Sequence, residues 1–227
     1  MNIIALDGYT GTWKWTTSMW VAKALWRTYL DTWAMYRATA LYAIKHDMLS
    51  NDETQMADMM KDIHISFETN NIWWQDTYLN WENVEHLIRT SELGSKMKPI
   101  VVSTSVRSAL AQMQSAYGEK NSLVADGRDM GTVVFPDAPL KVFMICDIDT
   151  RAQRRVEQLL SKWLPANLET IKTEIQHRDN HDYLWPDAVN QKAQWARIID
   201  TSHMTIEQQI QQVIDRREET QREKPIF

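Results

Sequence analysis

Short continuous apolar runs alternate along the chain with stretches whose apolar residues recur at helical spacing. Continuous runs of this kind are typical of strands buried on both faces of a parallel sheet. They predict strands at Asn2–Leu6, SLVAD, LKVFMI and RIID. Helical patterns cover Lys14–Leu25, Thr32–Lys45, Asp52–Lys61, Val101–Tyr117, Thr150–Leu160 and Leu168–His177. Thr205 and Gln208 have the spacing of a capping box and predict a last helix. Strands alternating with helices predict an α/β fold with a parallel sheet.

One region departs from this alternation. Residues Ile63–Glu68 and Asp76–Asn80 alternate apolar and polar side chains, which is typical of hairpin strands with one solvated face. Trp73 and Trp74 fall at the expected tip of the hairpin. We therefore predict an inserted lobe that does not belong to the parallel sheet.

Composition excludes several classes of protein. The chain has 227 residues, a net charge of −5 and a single cysteine, Cys146. The charge gives no basic field for a nucleic-acid polymer or a membrane surface, and one cysteine cannot form an internal disulfide framework. No apolar run approaches the roughly 20 residues of a membrane span. We expect a soluble cytoplasmic protein, with a monomer as the working assumption.

Two residue counts are unusual. Glycine accounts for only 6 residues, whereas tryptophan accounts for 11, more than phenylalanine or tyrosine. Together they make up about 7.5% of the chain, close to the roughly 7% that glycine alone usually contributes. The deficit of one residue type is thus matched by the excess of the other.

The positions of the tryptophans follow the same trend. Trp26 and Trp163 come after helical stretches, where glycine commonly ends a helix, and Trp81 follows Asn80, where Asn-Gly would form a tight turn. One hypothesis is that a UGA codon means glycine in the source but has been read as tryptophan. The alternative is that these residues are genuine, partly buried aromatics.

The segment ALDGYTGTWKWTTSMW, from Ala5 to Trp20, is the strongest local motif. An apolar strand leads into Gly8, and Lys14 follows at the spacing of a phosphate-binding lysine. In such loops, backbone N–H groups and a helix N-terminus surround the phosphates. Trp13 and Trp15 flank the lysine where glycine is expected, so the segment alone fits an ordinary strand-to-helix turn equally well. With glycine at both positions it would read GYTGTGKGT.

Longer segments are more specific. LDTWAMYRA, ADGRDMGTVVFPDAPLKVFM, RAQRR and IQHRDNHD together closely resemble bacterial cytidylate kinases, from Asn2 to about Val213. The resemblance implies a three-layer phosphate-loop kinase fold and ATP-dependent phosphorylation of CMP or dCMP, with Mg²⁺ as cofactor. It also implies glycine where this chain has Trp13, Trp26, Trp33, Trp81 and Trp163, and often at Trp15.

The resemblance assigns roles to individual residues. Charge neutralisation during transfer is expected from Lys14, Arg151, Arg154 and Arg155. ATP is expected to bind the loop formed by Gly8, Tyr9, Thr10, Gly11, Thr12, Trp13, Lys14, Trp15 and Thr16. The CMP site is expected to comprise Thr32, Arg37, Arg107, Arg128, Asp129, Arg178 and Asp182. No direct protein ligand for the metal is expected; Thr16 or Asp126 would hold it with the help of water.

Some of these residues have simpler interpretations. The arginines of RAQRR could form a plain solvated helix face, Arg107 could serve only in an ion pair, and Asp126 could be only a helix cap or turn residue. Three positions depart from the family pattern: Trp185 stands where a phosphate-gripping arginine is usual, Lys98 where a small hydroxyl residue often helps hold cytosine, and Tyr9 where proline or phenylalanine is usual. The second departure weakens the expectation of base selectivity.

The expected organisation has three parts: a core from residues 1–32, 98–148 and 186–227, a monophosphate-binding lobe from 33–97, and a lid from 149–185. Two alternatives to a cytidylate kinase remain. One is a kinase of the same fold that acts on UMP or AMP. The other is a non-catalytic nucleotide-binding relative, inactivated by Trp13 and Trp15.

Overall fold

The computed structural model describes residues 2–50, 52–70, 75–184 and 190–222. The chain folds into two compact units. The first unit comprises Met1–Leu30 and Asn121–Phe227, and the second comprises Asp31–Lys120. The predicted hairpin tip at Trp73-Trp74 and the departure at Trp185 lie outside the described residues. The three-part division with a separate lid stays a prediction.

The first unit is built on five strands: β1 (Ile3–Gly8), β2 (Thr28–Asp31), β6 (Leu123–Asp126), β7 (Leu140–Ile145) and β8 (Arg197–Asp200). They form one sheet in the order β2-β6-β1-β7-β8. Strand β1 pairs in parallel with both β6 and β7, so that Leu6 lies opposite Asp126 on one side and Val142 on the other. The predicted parallel α/β fold is confirmed. Strand β2 was not predicted, because TYLD is too short to give a periodic signal.

This unit contains the helices α1 (Lys14–Ala24), α8 (Ile148–Leu160), α9 (Leu168–Leu184) and α10 (Ile206–Arg222). Helices α1 and α10 pack with the sheet into its core. The core is formed by buried residues of four strands and two of these helices: Ile4, Leu6, Val21, Ala22, Val124, Leu140, Val142, Met144, Ile199 and Val213. The capping box at α10 is confirmed, since the Thr205 N–H donates to Gln208 Oε1 at 2.9 Å and the Gln208 N–H to Thr205 Oγ1 at 3.3 Å.

Helices α8 and α9 form a second, smaller core of their own. Ala152 of α8 packs with Ile171 and Ile175 of α9, and all three are buried. The Asp147 carboxylate caps the start of α8 by accepting from the Thr150 N–H at 2.7 Å. The helix predicted at Leu168–His177 runs on to Leu184. This extension brings Arg178, Asp179 and Asp182 onto one helix.

The second unit contains three strands and six helices among its described residues. The strands are β3 (Ile65–Thr69), β4 (Gln75–Leu79) and β5 (Glu82–Asn83), and the helices are α2 (Thr32–Lys45), α3 (Glu53–Lys61), α4 (Glu85–Ile88), α5 (Ser91–Ser95), α6 (Lys98–Val102) and α7 (Thr104–Lys120). The strands form an antiparallel sheet in the order β3-β4-β5. The predicted hairpin is confirmed, with Phe67 opposite Thr77.

The prediction of a single helix over Val101–Tyr117 was wrong. The chain breaks at Ser103, whose extended backbone ends α6 and whose hydroxyl oxygen accepts from the Val106 N–H at 3.2 Å. The same hydroxyl donates to Glu53 Oε2 at 2.9 Å. A serine whose side chain bonds the backbone three residues on favours a helix start over a helix interior.

Candidate active site

The loop between β1 and α1 is set by the backbone at two glycines. Gly8 has φ 147°, and a Cβ there would lie 2.2 Å from the Met144 carbonyl oxygen of β7. Gly11 has φ 83° and packs against the Arg151 side chain. Only glycine combines such a φ with so close an approach. The chain therefore turns sharply at the carboxyl end of β1 and enters α1 with its helix N-terminus at the loop.

Lys14 begins α1 and points back at this loop. Its ammonium donates to the Tyr9 carbonyl oxygen at 3.2 Å, and the Thr12 hydroxyl donates to the same oxygen at 2.9 Å. Burial, together with the positive charge of Arg128, lowers the pKa of Lys14 to about 7. An anion at this position would reverse that shift, because opposite charge favours the ammonium form. The geometry is that of a cation held ready for a negatively charged ligand.

Arg128 ties the loop to helix α9. Its guanidinium donates to Asp182 Oδ2 and, at 2.5 Å, to Thr10 Oγ1. Burial lowers the pKa of Arg128, and Asp182 acts against that effect. Arg178 is exposed, but it is near enough for its charge to lower the pKa values of both Lys14 and Arg128. The sequence-predicted residues Lys14, Arg128, Arg178 and Asp182 therefore form one cluster.

Two arginines of α8 approach the loop from another side. Arg151 donates to the Thr10 carbonyl oxygen at 3.2 Å and pairs with Asp179 of α9, while its guanidinium carbon lies 5.3 Å from the centre of the Tyr9 ring. Arg154 donates to the Thr201 carbonyl oxygen at 2.6 Å. Both side chains are buried, so the solvated-face interpretation is wrong for them. It fits Arg155, which is exposed and donates to Gln158 Oε1 at 2.5 Å.

Trp13 occupies the turn between the loop and α1. Its ring centre lies 4.1 Å from the guanidinium carbon of Arg154, and its side chain is half-buried. Trp15, one residue into the helix, is more exposed. The Trp13 indole thus fills part of the space between the loop and an arginine of α8.

Asp7 is a site residue that the sequence prediction missed. Its buried carboxylate accepts from the backbone N–H groups of Met130 at 2.9 Å and Gly131 at 2.7 Å. Burial raises the pKa of Asp7 to about 7, although these two hydrogen bonds lower it. The contacts anchor the start of a π-helical turn, Met130–Val134, directly after Arg128 and Asp129. The sequence signal that could have identified Asp7 is its position as an aspartate at the end of a buried strand.

Two residues, Asp126 and Thr16, are the candidate oxygen ligands for Mg²⁺. Asp126 ends β6 opposite Leu6, and its Oδ1 accepts from the Tyr29 hydroxyl at 2.5 Å. Its charge also raises the pKa of Lys14. Thr16 lies half-buried in the first turn of α1. Within the described part of the chain, no group of three or more His, Cys, Asp or Glu side chains could hold a metal ion.

Three of the predicted CMP residues belong to the second unit. Thr32 is buried at the first position of α2, next to the Asp31 carboxylate that caps this helix. Arg37 donates to the Ile88 carbonyl oxygen at 2.9 Å. Arg107 is half-buried on α7. Arg89, which the sequence prediction missed, pairs with Asp31 at 2.9 Å and with Glu85 at 2.6 Å.

No helix in the described ranges is long and apolar enough to cross a bilayer. A solved structure of an uncharacterized protein from Eubacterium ventriosum matches 96% of this chain and 98% of its own, with a TM-score of 0.54 and 13% identity, and supports the fold alone.

Sequence comparison identifies the family. The family model for cytidylate kinase matches residues 4–219. A cytidylate kinase of Parabacteroides distasonis is 40% identical over 91% of this chain and 92% of its own length. Those of Bordetella bronchiseptica and Cupriavidus necator are 39% and 37% identical, over 94% and 95% of this chain and 93% and 95% of their own lengths. The chain belongs to the cytidylate kinase family.

Proposed function

We propose that this protein transfers the γ-phosphoryl group of ATP to CMP or dCMP, giving ADP and the corresponding diphosphate. The observation that carries the proposal is the cluster of cations around Thr10. Lys14 comes from α1, Arg128 follows β6, and Arg151 comes from α8; the two arginines donate directly to Thr10. A phosphoryl group in transfer carries charge on several oxygens, and cations from different elements are suited to neutralise it.

The ATP phosphates would bind the turn from Gly8 to Thr16. The backbone there leads into the N-terminus of α1, which favours anions. Lys14 would exchange its bond to the Tyr9 carbonyl for phosphate oxygens, and the raised pKa that follows would keep it charged. The acceptor atom is a phosphate oxygen of CMP that is already anionic, so the chemistry needs no general base.

The arginines would act at the transferring group and at the acceptor. Arg128 and Arg151 are each held by a carboxylate of α9, from Asp182 and Asp179. Such pairing fixes a guanidinium in place, and bidentate contact suits phosphate oxygens. We assign Arg178 to the acceptor phosphate, Asp182 to the sugar hydroxyls and Asp129 to the cytosine edge. We also assign Thr32, Arg37 and Arg107 to CMP binding.

Helices α8 and α9 would serve as the lid over residues 149–185. They pack on each other; α8 carries Arg151, Arg154 and Arg155, and α9 carries Arg178. Moving the pair as one body would bring several cations to the phosphates together and exclude water from the transfer.

The residues present fit a magnesium ion bound mainly by the nucleotide. Mg²⁺ prefers oxygen ligands and often binds through one or two protein oxygens plus substrate phosphates and water. The Thr16 hydroxyl and the Asp126 carboxylate would hold it, Asp126 through water. When bound, the ion would neutralise phosphate charge.

The test is ADP release from ATP with CMP, measured on the chain as written and on Trp13→Gly/Trp15→Gly. We expect activity in the glycine variant and little in the chain as written, because the Trp13 indole occupies space beside the loop. Inactivity of both, with folding confirmed by circular dichroism, would favour a non-catalytic nucleotide-binding protein. Running dCMP, UMP and AMP as acceptors on the active variant tests base selectivity, which Lys98 leaves open. Preference for UMP or AMP would contradict the proposed substrate.

A further inference from the structure

Backbone conformation separates the tryptophans of this chain from its other residues. Among the described residues, seven non-glycine residues have positive φ, and five of them are tryptophans: Trp13, Trp26, Trp81, Trp163 and Trp195, with φ of 64°, 53°, 69°, 58° and 64°. The other two are Asp47 and Asn80, which belong to the residue types that tolerate this region. For a large aromatic residue the left-handed region is unusual.

Two of the five end helices in the same way. The Trp26 N–H donates to the Lys23 carbonyl at 3.2 Å and the Arg27 N–H to the Ala22 carbonyl at 2.8 Å. At α8 the Trp163 N–H donates to the Leu160 carbonyl at 2.9 Å and the Leu164 N–H to the Leu159 carbonyl at 3.0 Å. This pair of bonds defines a Schellman motif, whose left-handed residue is usually glycine.

Two more lie in tight turns. Leu79 pairs with Glu82, so Asn80 and Trp81 form a two-residue hairpin loop with positive φ at both positions. That is a type I′ turn, for which Asn-Gly is a preferred sequence. The Ala196 N–H donates to the Ala193 carbonyl at 3.1 Å across a turn with Trp195 at its third position. Positive φ there defines a type II turn, which calls for glycine.

The fifth, Trp13, forms the N-cap of α1 at φ 64° and ψ 21°. It makes no side-chain capping bond to the helix. Strain at a ligand site can serve function, so Trp13 alone would prove little. The other four lie in ordinary turns and helix ends.

Burial does not compensate for the strain at those four positions. Their side chains are 80%, 78%, 95% and 83% exposed for Trp26, Trp81, Trp163 and Trp195. An indole left mostly in water gains little of the apolar burial that usually justifies tryptophan. At each of the four positions the backbone therefore has a conformation that favours glycine while the indole stays mostly exposed; the Trp81 ring stacks on the exposed His64 ring, 5.2 Å away.

We propose that residues 13, 26, 81, 163 and 195 are glycines in the native protein. Five positions in four kinds of backbone motif require the same residue, and the chain is short of that residue by about the number of its tryptophans. We attribute the tryptophans at these positions to UGA codons that the source cell translates as glycine but that have been read as tryptophan. This inference rests on backbone geometry and composition and does not depend on the proposed function.

The decisive experiment is peptide mass spectrometry of the protein isolated from its source cells, digested with two proteases of different specificity. Trypsin releases Ala24–Arg27 and Ala193–Arg197, each with one of the positions, and Trp163–Lys172 with another. Peptides whose masses and fragments require glycine at the five positions would support the proposal. Tryptophan at those positions would overturn it.

A second measurement uses the recombinant chain and needs no source cells. The five-site Trp→Gly variant is expected to unfold at a midpoint higher by about 10–20 °C, at roughly 2–4 °C per relieved position. Trp20→Gly is the matched control, because Trp20 lies inside α1, where glycine lowers helix stability. A five-site variant that unfolds at or below the midpoint of the chain as written would contradict the proposal.

Discussion

Helix α1 has a left-handed tryptophan at each end, and the two ends differ in what surrounds it. At the N-terminal end, Trp13 is half-buried and stacks on Arg154 beside Lys14, Arg128 and Arg151. At the C-terminal end, Trp26 is 80% exposed and closes a Schellman motif. At the N-terminal end the left-handed backbone lies beside a cluster of positive charges, whereas at the C-terminal end the backbone conformation is the main requirement.

A tryptophan in the left-handed region therefore has different consequences at the two ends of α1. At the C-terminal end, an indole in place of hydrogen costs backbone strain, which affects stability. At the N-terminal end it costs strain and also occupies space among the groups proposed to bind phosphate. Changes at the N-terminal end should therefore alter activity strongly, and changes at the C-terminal end should alter stability alone.

The largest effect is expected from Lys14→Ala in the Trp13→Gly/Trp15→Gly background. Removing this cation should lower the rate of ADP release by at least about 100-fold, because a positioned charge at the transferring group is worth that much. The matched control is Lys23→Ala in the same background, since Lys23 is an exposed lysine in the last turn of the same helix. Steady-state kinetics with ATP and CMP measure both. Equal loss in the two variants would show that the two ends do not differ in function.

Asp7→Asn tests the buried charge at the N-terminal end. The amide replaces one accepting oxygen by a donor that faces a backbone N–H of Met130 or Gly131, which should cost about 1–3 kcal/mol at pH 7. The pKa of Asp7 is raised in the folded state to about 7 from 3.8. The folded state therefore holds this proton where the unfolded state has lost it, and the contribution of Asp7 to stability falls as pH rises from about 4 to 7.

Urea unfolding at several pH values between 4 and 8 measures this slope. Asp7→Asn should flatten it, because asparagine does not titrate. Asp147→Asn is the control: the pKa of Asp147 is lowered to about 2 by the hydrogen bonds from Thr150. Its contribution to stability is present above the unfolded pKa and is lost as pH falls below about 4, so the slope between pH 5 and 8 should not change. An unaltered slope in Asp7→Asn would contradict the assignment.

The sequence predicted the sheet, the hairpin and most helices because each has a repeating apolar pattern that local physics converts into structure. It also placed Lys14 by its spacing from Gly8. The contacts of Asp7 and Asp179 were not predictable, because their partners Gly131 and Arg151 are distant in sequence and no local pattern links them. Of the left-handed tryptophans, Trp195 was not recognised from the sequence as a position typical of glycine, because AQWAR has neither a predicted helix before it nor an asparagine directly before the tryptophan.

A smaller effect is expected at the C-terminal end of α1, where Trp26→Gly and Trp26→Ala are compared. Both remove the indole, but only glycine relieves the left-handed backbone, so the glycine variant should be more stable by about 1 kcal/mol. Urea unfolding measures the difference, and ADP release in the Trp13→Gly/Trp15→Gly background should be the same for both. An alanine variant as stable as the glycine variant would show that strain at this end is negligible.

The smallest effect is expected for Asp47→Gly, which tests whether the cost at Trp26 comes from the residue type. Asp47 ends α2 with the same pair of bonds, from its N–H to the Ile44 carbonyl at 3.3 Å and from the Met48 N–H to the Ala43 carbonyl at 2.7 Å. Aspartate tolerates positive φ, and glycine loses more chain entropy on folding, so the two effects should nearly cancel, to within about 0.5 kcal/mol. Urea unfolding of Asp47→Gly beside Trp26→Gly makes the comparison. Equal stabilisation by glycine at the end of α2 and at the end of α1 would show that any residue other than glycine is unfavourable in this motif. The cost at Trp26 would then not come from tryptophan in particular.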